Sequence, residues 1–233
     1  MPPSENRLIQ QLPTAVRKQF LDRCEPFELV LSAELSENNR VLTHAYFPRE
    51  GYISLVIELN SHPSLEVGMV GREAMLGSEL ILGLAKTPWR ALVQGAGMSW
   101  RIGAEALREA SEALPELRNI VQRTLMVRLH QAALAAACER FHMIGPRLAR
   151  WLLMSQDRAQ SPSFHVTQEF MALMLGVRRV GVTQAASDFQ HGGLIEYHRG
   201  ELTVLDRTGL EAEACSCYES DRKLYTELMG QKA

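Results

Sequence analysis

The run from Pro115 to the pair Gly145-Pro146 constrains this chain more than any other stretch. PELRNIVQRTLMVRLHQAALAAACERFHMI has a proline where a first helical turn tolerates one, and it is stopped by glycine and proline. Ile120, Val127, Leu134 and Phe141 recur every seven residues along it. Leu125, Leu129, Ala132 and Ala136 form a second stripe at spacings of four, three and four. A helix apolar on two sides is buried on two sides. One face therefore covers a neighbouring domain. The other, small and leucine-bearing, is expected to form a seam with a second copy of the same helix.

The texture differs on either side of this helix. Residues 5–25 form an amphipathic helical entry. From about 28 to 103 the chain holds short runs of Val, Ile, Leu and Tyr broken by Gly, Pro and Asn, as in ELVLSAEL, YISLVIELN and WRALVQGAGMSWRI. Strands of this length and punctuation argue a β-sandwich or barrel, with helix resuming at Ala104. After Gly145-Pro146, RLARWLLMSQDR reads as a helix and AQSPSF as a turn. LIEYHRGELTVLD is two alternating strands around Arg199-Gly200, a hairpin. Thr208 to Glu211 has the form of a capping box, which places the start of a final helix there.

Between the turn and the hairpin lies TQEFMALMLGVRRVGVTQAASDF. Thr167 is the expected N-cap of a first short helix. Gly176 ends that helix in the left-handed conformation that glycine adopts cheaply. In the second helix Val182, Ala185, Ala186 and Phe189 fall on one inward face, with Val182 against the small Ala172. Arg179, Val180, Thr183, Gln184 and Ser187 are left facing outward. Arginine pairs with guanine in a major groove, glutamine with adenine, and valine or threonine touches a thymine methyl. Small Ala, Gly four on and Val six on is the helix-turn-helix pattern, and the following hairpin reads as a wing. Arg179, Val180, Thr183 and Gln184 are the base-reading candidates. Arg178, at the helix start, and Arg199, at the wing tip, are placed to meet phosphates.

Net charge is −2, so any anion-binding surface is local. From Pro146 to Gly209 seven Lys and Arg face six Asp and Glu, which predicts few phosphate contacts and a shallow salt dependence. The four cysteines, Cys24, Cys138, Cys215 and Cys217, show no disulfide framework, as expected of a cytoplasmic chain. Neither a secretion signal nor a membrane span is read. Catalysis is not expected. In the β-domain His44 and His62 stand alone, without the His-x-His of a metal-dependent barrel enzyme, and no nucleophile elbow or phosphate-binding glycine loop occurs.

In this order the elements resemble the Crp/Fnr family of bacterial transcription regulators over nearly the whole chain. GPRLARWLL, TQEFMALMLGVRRVGVTQ and GGLIEYHRGELTVLD carry the resemblance, with FPREGYISLV and VGMVGREAMLG in the β-domain. It implies an α+β chain. A jelly-roll sensor of the cyclic-nucleotide-binding type would span 1–113, a dimerisation helix 114–144, and a winged helix-turn-helix with a C-terminal helix 145–233. It further implies a homodimer on a palindromic operator, with RNA polymerase as a partner.

Arg179 matches the family arginine that contacts guanine. The family's frequent glutamate at the next position is Val180 here, and its second arginine is Gln184, so half-site preference should differ. Thr167 and Gln168 fall where members touch phosphate. Cyclic AMP binders use a Gly-Glu-Leu turn and a later arginine. The nearest match here is Gly77, Ser78, Glu79 and Leu80, followed by Arg90 and Ala91. A serine intrudes in that turn, and Ala132 and Ala133 stand where adenine is read, without a hydrogen-bonding group. Cyclic nucleotide binding is thus the less favoured reading, and Glu79 and Arg90 are expected to form an ion pair. Iron–sulfur members carry an N-terminal cysteine cluster, and only Cys24 is there, so no cluster is expected. Cys215 and Cys217 read as isolated free thiols, and no metal site is expected.

Overall fold

The computed structural model describes residues 5–58 and 64–230. His62 and the first four residues of the polar N-terminal start lie outside the described residues.

The helical entry is two short helices, α1 (Arg7–Gln11) and α2 (Thr14–Leu21), because Pro13 interrupts it. Asn6, fully buried, fixes the start of α1. Its Oδ1 accepts from the amides of Leu8 and Ile9, while its Nδ2 donates to the carbonyls of Pro48 and Ala74.

Seven strands follow: β1 (Glu25–Leu29), β2 (Glu34–Ser36), β3 (His44–Pro48), β4 (Tyr52–Ile57), β5 (Leu65–Val70), β6 (Arg90–Gly95) and β7 (Gly97–Gly103). They form two antiparallel sheets, ordered β1-β7-β3 and β2-β6-β4-β5. Leu29, Tyr46, Ile53, Leu55, Val70, Leu76 and Val93 pack together as the core of this sandwich. A 3-10 turn, Ser78–Leu82, interrupts the β texture between β5 and β6. The flanking left-handed glycines, Gly77 and Gly83, let it do so.

Helix α3 (Ala104–Ala113) breaks at Leu114, and the long helix α4 runs Pro115–Phe141. Its sevenfold stripe divides along its length. Ile120 and Val127 are buried against the helices and strands of the β-domain, Leu134 is half-buried, and Phe141 is 76% exposed. The covered face thus ends before the helix does. The second stripe stays open. Leu125 is half-buried, Leu129 is 64% exposed, and Ala132 and Ala136 are exposed with Ala133 and Ala137 beside them.

The C-terminal region comprises α5 (Ile144–Ala159), β8 (Ser163–His165), α6 (Gln168–Met174), α7 (Arg179–His191), β9 (Ile195–His198), β10 (Glu201–Val204), α8 (Arg207–Glu213) and α9 (Cys217–Met229). Three expectations are corrected. Gly145 and Pro146 do not stop α4, which ends at Phe141; they lie in the first turn of α5. Ser163–His165 is a strand completing a β8-β10-β9 sheet, where the sequence suggests a turn. Helix α8 starts one residue before Thr208, because Asp206 accepts the amide of Gly209 as its N-cap. The core of this region includes Leu152, Met171, Val182, Phe189, Leu202 and Leu210, and takes in Tyr52, Val56 and Met69 from the β-domain.

Candidate functional site

Helices α6 and α7 meet as the sequence requires. Thr167 caps α6, its Oγ1 accepting from the Phe170 amide at 3.1 Å. Gly176 has φ +61°, and a Cβ there would meet Leu65 Cδ1 at 3.0 Å. Ala172 and Val182 are both buried in the shared core. Arg178 is the N-cap residue of α7 and is exposed.

The outward face of α7 is open. Val180 is 73% exposed, an apolar side chain with nothing to cover it. Arg179 donates from Nη1 to Glu169 Oε1 on α6 at 2.6 Å. Thr183 Oγ1 donates to Gln168 Oε1 at 2.8 Å, and Gln184 Nε2 to Asp188 Oδ1 at 2.9 Å. These side chains are held by one another, but only at the surface. An exposed ion pair of this kind is worth about 0.2–1 kcal/mol, so Arg179 can exchange Glu169 for an external acceptor at little cost.

Arg199 and Gly200 form the hairpin tip with φ +50° and +88°. Positive φ at both central residues is the backbone of a type I′ turn, whose twist matches the strands it joins. Thr167, Gln168, Glu169, Arg179, Tyr197, Arg199 and Gly200 line one surface concavity of about 360 Å³. Helix start, Arg179 and wing tip therefore converge, whereas Arg178, Val180, Thr183 and Gln184 do not line this concavity. Glu169 and Tyr197 were missed by sequence reasoning. Glu169 carries no signal beyond a first-turn acid, and Tyr197 reads as an ordinary alternating strand residue.

A second region lies between the β-domain and α4. A cavity of about 510 Å³ is lined by Leu55, Val67, Leu82, Leu84, Trp89, Leu125 and Leu129, with Ala132 at its edge. Ser78 and Glu79 also line it, and both are buried. Neither carboxylate oxygen of Glu79 has a hydrogen-bond partner among the described residues. Arg128, from α4, donates to the Met75 carbonyl at 3.1 Å and lies over the Trp89 ring. Burial lowers its pKa, with Glu79 pulling the other way.

The expected Glu79–Arg90 ion pair does not form. Arg90 pairs with Glu34 at 3.0 Å and Glu58 at 2.9 Å. Its side chain leaves β6 toward β2 and the end of β4, away from the cavity. Gly77 and Ala91, expected in the same pocket, do not line the cavity. Gly77, at φ +90°, sits against Ala45 and Leu42, and Ala91 is buried between the sheets.

The reading of Cys215 and Cys217 as isolated is also corrected. Helix α9 packs along α4, which brings Cys138 and His142 to them. One ligand atom from each of the four residues lies within 4.8 Å of all the others.

The contacts that join the β-domain to the C-terminal region include an ion pair and a hydrogen-bonded carboxylate. Arg158 Nη2 lies 2.9 Å from Glu73 Oε1, with both side chains nearly buried. Glu66 accepts from Trp151 Nε1 at 2.9 Å and from Ser54 Oγ. Burial pushes its carboxyl up to about 7, which those hydrogen bonds only partly oppose.

Residues 146–213 match the family described as the Crp-like helix-turn-helix domain. No curated protein matches the chain. Among solved structures, FixK2 from Bradyrhizobium japonicum aligns at 13% identity over 82% of this chain and 98% of its own, with a TM-score of 0.70. CLP from Xanthomonas campestris, described as a c-di-GMP-responsive global regulator, aligns at 15% identity over 82% and 99%, with a TM-score of 0.67. A CRP/FNR-family transcriptional regulator from Thermus thermophilus, TTHA1359, aligns at 17% identity over 90% and 100%, with a TM-score of 0.66. At such identities the likeness is one of fold. No helix among the described residues is long and apolar enough to cross a membrane.

Proposed function

We propose that this chain, which carries a Crp-like helix-turn-helix domain on the fold of Crp/Fnr transcription regulators, is a homodimeric sequence-specific DNA-binding regulator. The observation that carries the proposal is the convergence of Thr167, Gln168, Arg179 and Arg199 on one concavity beside the bare Val180. In this reading α7 enters the major groove. Arg179 leaves Glu169 for guanine O6 and N7, Val180 contacts a thymine methyl, and Thr183 and Gln184 meet further base edges. Thr167, Gln168, Arg178 and Arg199 hold phosphates and so set the register without reading sequence.

The exposed face of Leu129, Ala132, Ala133 and Ala136 is assigned to pairing with a second α4, and the dimer then faces a palindromic operator. RNA polymerase as a further partner follows from the family resemblance alone. The cavity between β-domain and α4 is assigned to an effector. Its mostly apolar walls, with Glu79 lacking a hydrogen-bond partner and Arg128 and Gln131 also lining it, fit an apolar molecule bearing a hydrogen-bond donor. A cyclic nucleotide held by Glu79 and Arg90 fits poorly, because Arg90 is engaged by two carboxylates and Ala132 and Ala133 offer adenine nothing. No catalytic role is assigned.

Fluorescence anisotropy with DNA from upstream of the protein's own gene tests the reading, with random DNA of equal length as reference. Arg179→Ala should weaken specific binding about 10- to 100-fold while leaving dimerisation unchanged, as expected from the ~1–3 kcal/mol of one bidentate base contact. Equal binding of upstream and random DNA by the dimer would favour instead a ligand-binding protein without DNA readout.

A further inference from the structure

We propose that Cys138, His142, Cys215 and Cys217 form a structural site for one borderline-soft divalent metal ion, zinc foremost, which ties the end of the long helix to the last helix of the chain. Cys138 and His142 are four residues apart at the end of α4 and so share one side of it. Cys215 and Cys217 flank Ser216 at the joint between α8 and α9, 77 residues further along the chain in the case of Cys215. Three sulfurs and one ring nitrogen are thereby gathered within 4.8 Å of one another. Cys138 Sγ lies 3.5 Å from Cys215 Sγ, and Cys217 Sγ lies 3.5 Å from His142 Nδ1.

Those separations are close to what one tetrahedral ion requires. Zinc–sulfur bonds of about 2.3 Å and zinc–nitrogen bonds of about 2.0–2.1 Å hold ligand atoms roughly 3.5–3.8 Å apart. An iron–sulfur cluster interposes its own atoms between the thiolates and needs a wider set. A disulfide between Cys138 and Cys215 would leave Cys217 and His142 unused, whereas a metal employs all four. The ligand chemistry, three thiolates and an imidazole, is that of structural zinc. The three thiols are buried and Leu134 packs against them, which shields the sulfurs from solvent.

Charge is also provided for. Each thiol releases its proton to solvent on binding, and three thiolates with a neutral histidine leave a zinc complex at −1. Arg150, on α5, lines one pocket with Cys138 and so sets a cation near that complex. The tie has a mechanical consequence. Helix α9 carries Tyr225 and Met229 into the core beneath α4, and Tyr225 Oη donates to the Glu73 carbonyl at 3.0 Å. A metal at the start of α9 therefore fixes the winged domain to both α4 and the β-domain.

The test is elemental analysis of the full-length chain, grown with zinc and purified without a histidine tag or chelator. One zinc per chain is expected, falling at least tenfold in Cys215→Ser, Cys217→Ser and His142→Ala. It should be retained in Cys24→Ser, whose thiol lies apart with Sγ donating to the Phe20 carbonyl. If a variant misfolds, cobalt(II) titration of the metal-stripped wild type serves in its place and should give the visible bands of a tetrahedral thiolate complex. Absence of zinc together with absence of those bands overturns the proposal. So does a Cys138–Cys215 disulfide in the freshly purified chain, or zinc retained by all three ligand variants. None of these outcomes depends on DNA binding.

Discussion

At the scale of single residues, two carboxylates decide how the molecule behaves. Glu169 holds Arg179 at the surface, so the arginine is oriented but not committed. Glu66 is the opposite case. It is half-buried at the contact between β5 and Trp151, and desolvation there pushes its carboxyl up to about 7. Unfolded, it titrates near 4.5, so between those values the folded chain holds a proton that the unfolded chain has lost. Stability should therefore fall as pH rises from about 4.5 to 7 and level off above. Glu66→Gln keeps an acceptor for Trp151 and turns a donor toward the Ser54 hydroxyl, which can accept it, without the charge. Urea denaturation across pH should show this part of the slope removed, and a gain of up to about 3 kcal/mol at pH 8. An unchanged slope would mean that Glu66 is already ionised and well solvated. Neither partner was legible in the sequence. Glu66 is one acid in an alternating strand, and Trp151 lies 85 residues away.

At the scale of elements, the helix-turn-helix was legible because its requirements are local. A cap, a left-handed glycine and small inward residues at fixed spacing each leave a mark within some twenty residues. Ala172 and Val182 both lie in the buried core that α6 and α7 share. Ala172→Leu should cost about 1–3 kcal/mol by overpacking, seen as a lowered Tm, and should weaken DNA binding by splaying α6 from α7. Full stability in that variant would mean the joint is looser than drawn. Elements fixed by distant partners were harder to read. Ser163–His165 looks like a turn from Ser161-Pro162, yet becomes a strand because β10 lies beside it. Asp206 took the cap expected of Thr208, since either residue offers an oxygen and only the incoming backbone direction chooses between them.

At the scale of the whole molecule, α4 organises everything else. Its early turns close the β-domain core, its middle walls the cavity, and its second stripe stays exposed. Burial of Ile120 and Val127 on one side was readable from periodicity alone. The cavity and the cysteine cluster were not, because both are built by α4 meeting segments far from it in sequence. Arg90 shows the limit of motif reading, for Glu34 on β2 and Glu58 just after β4 claim it. If the exposed face pairs two chains, Leu129→Glu should convert the dimer to a monomer in size-exclusion chromatography with light scattering, and operator affinity should fall with it. A monomeric wild type would remove that assignment.

DNA reading by α7 is tested most directly by selecting binding sites from a random DNA pool with the wild type and with Arg179→Ala. A two-fold symmetric site should emerge with the wild type, carrying one strongly preferred guanine in each half. That preference should vanish in the variant while the rest of the site persists. No enrichment by the wild-type dimer, or the same guanine preference in both proteins, would contradict the role assigned to Arg179.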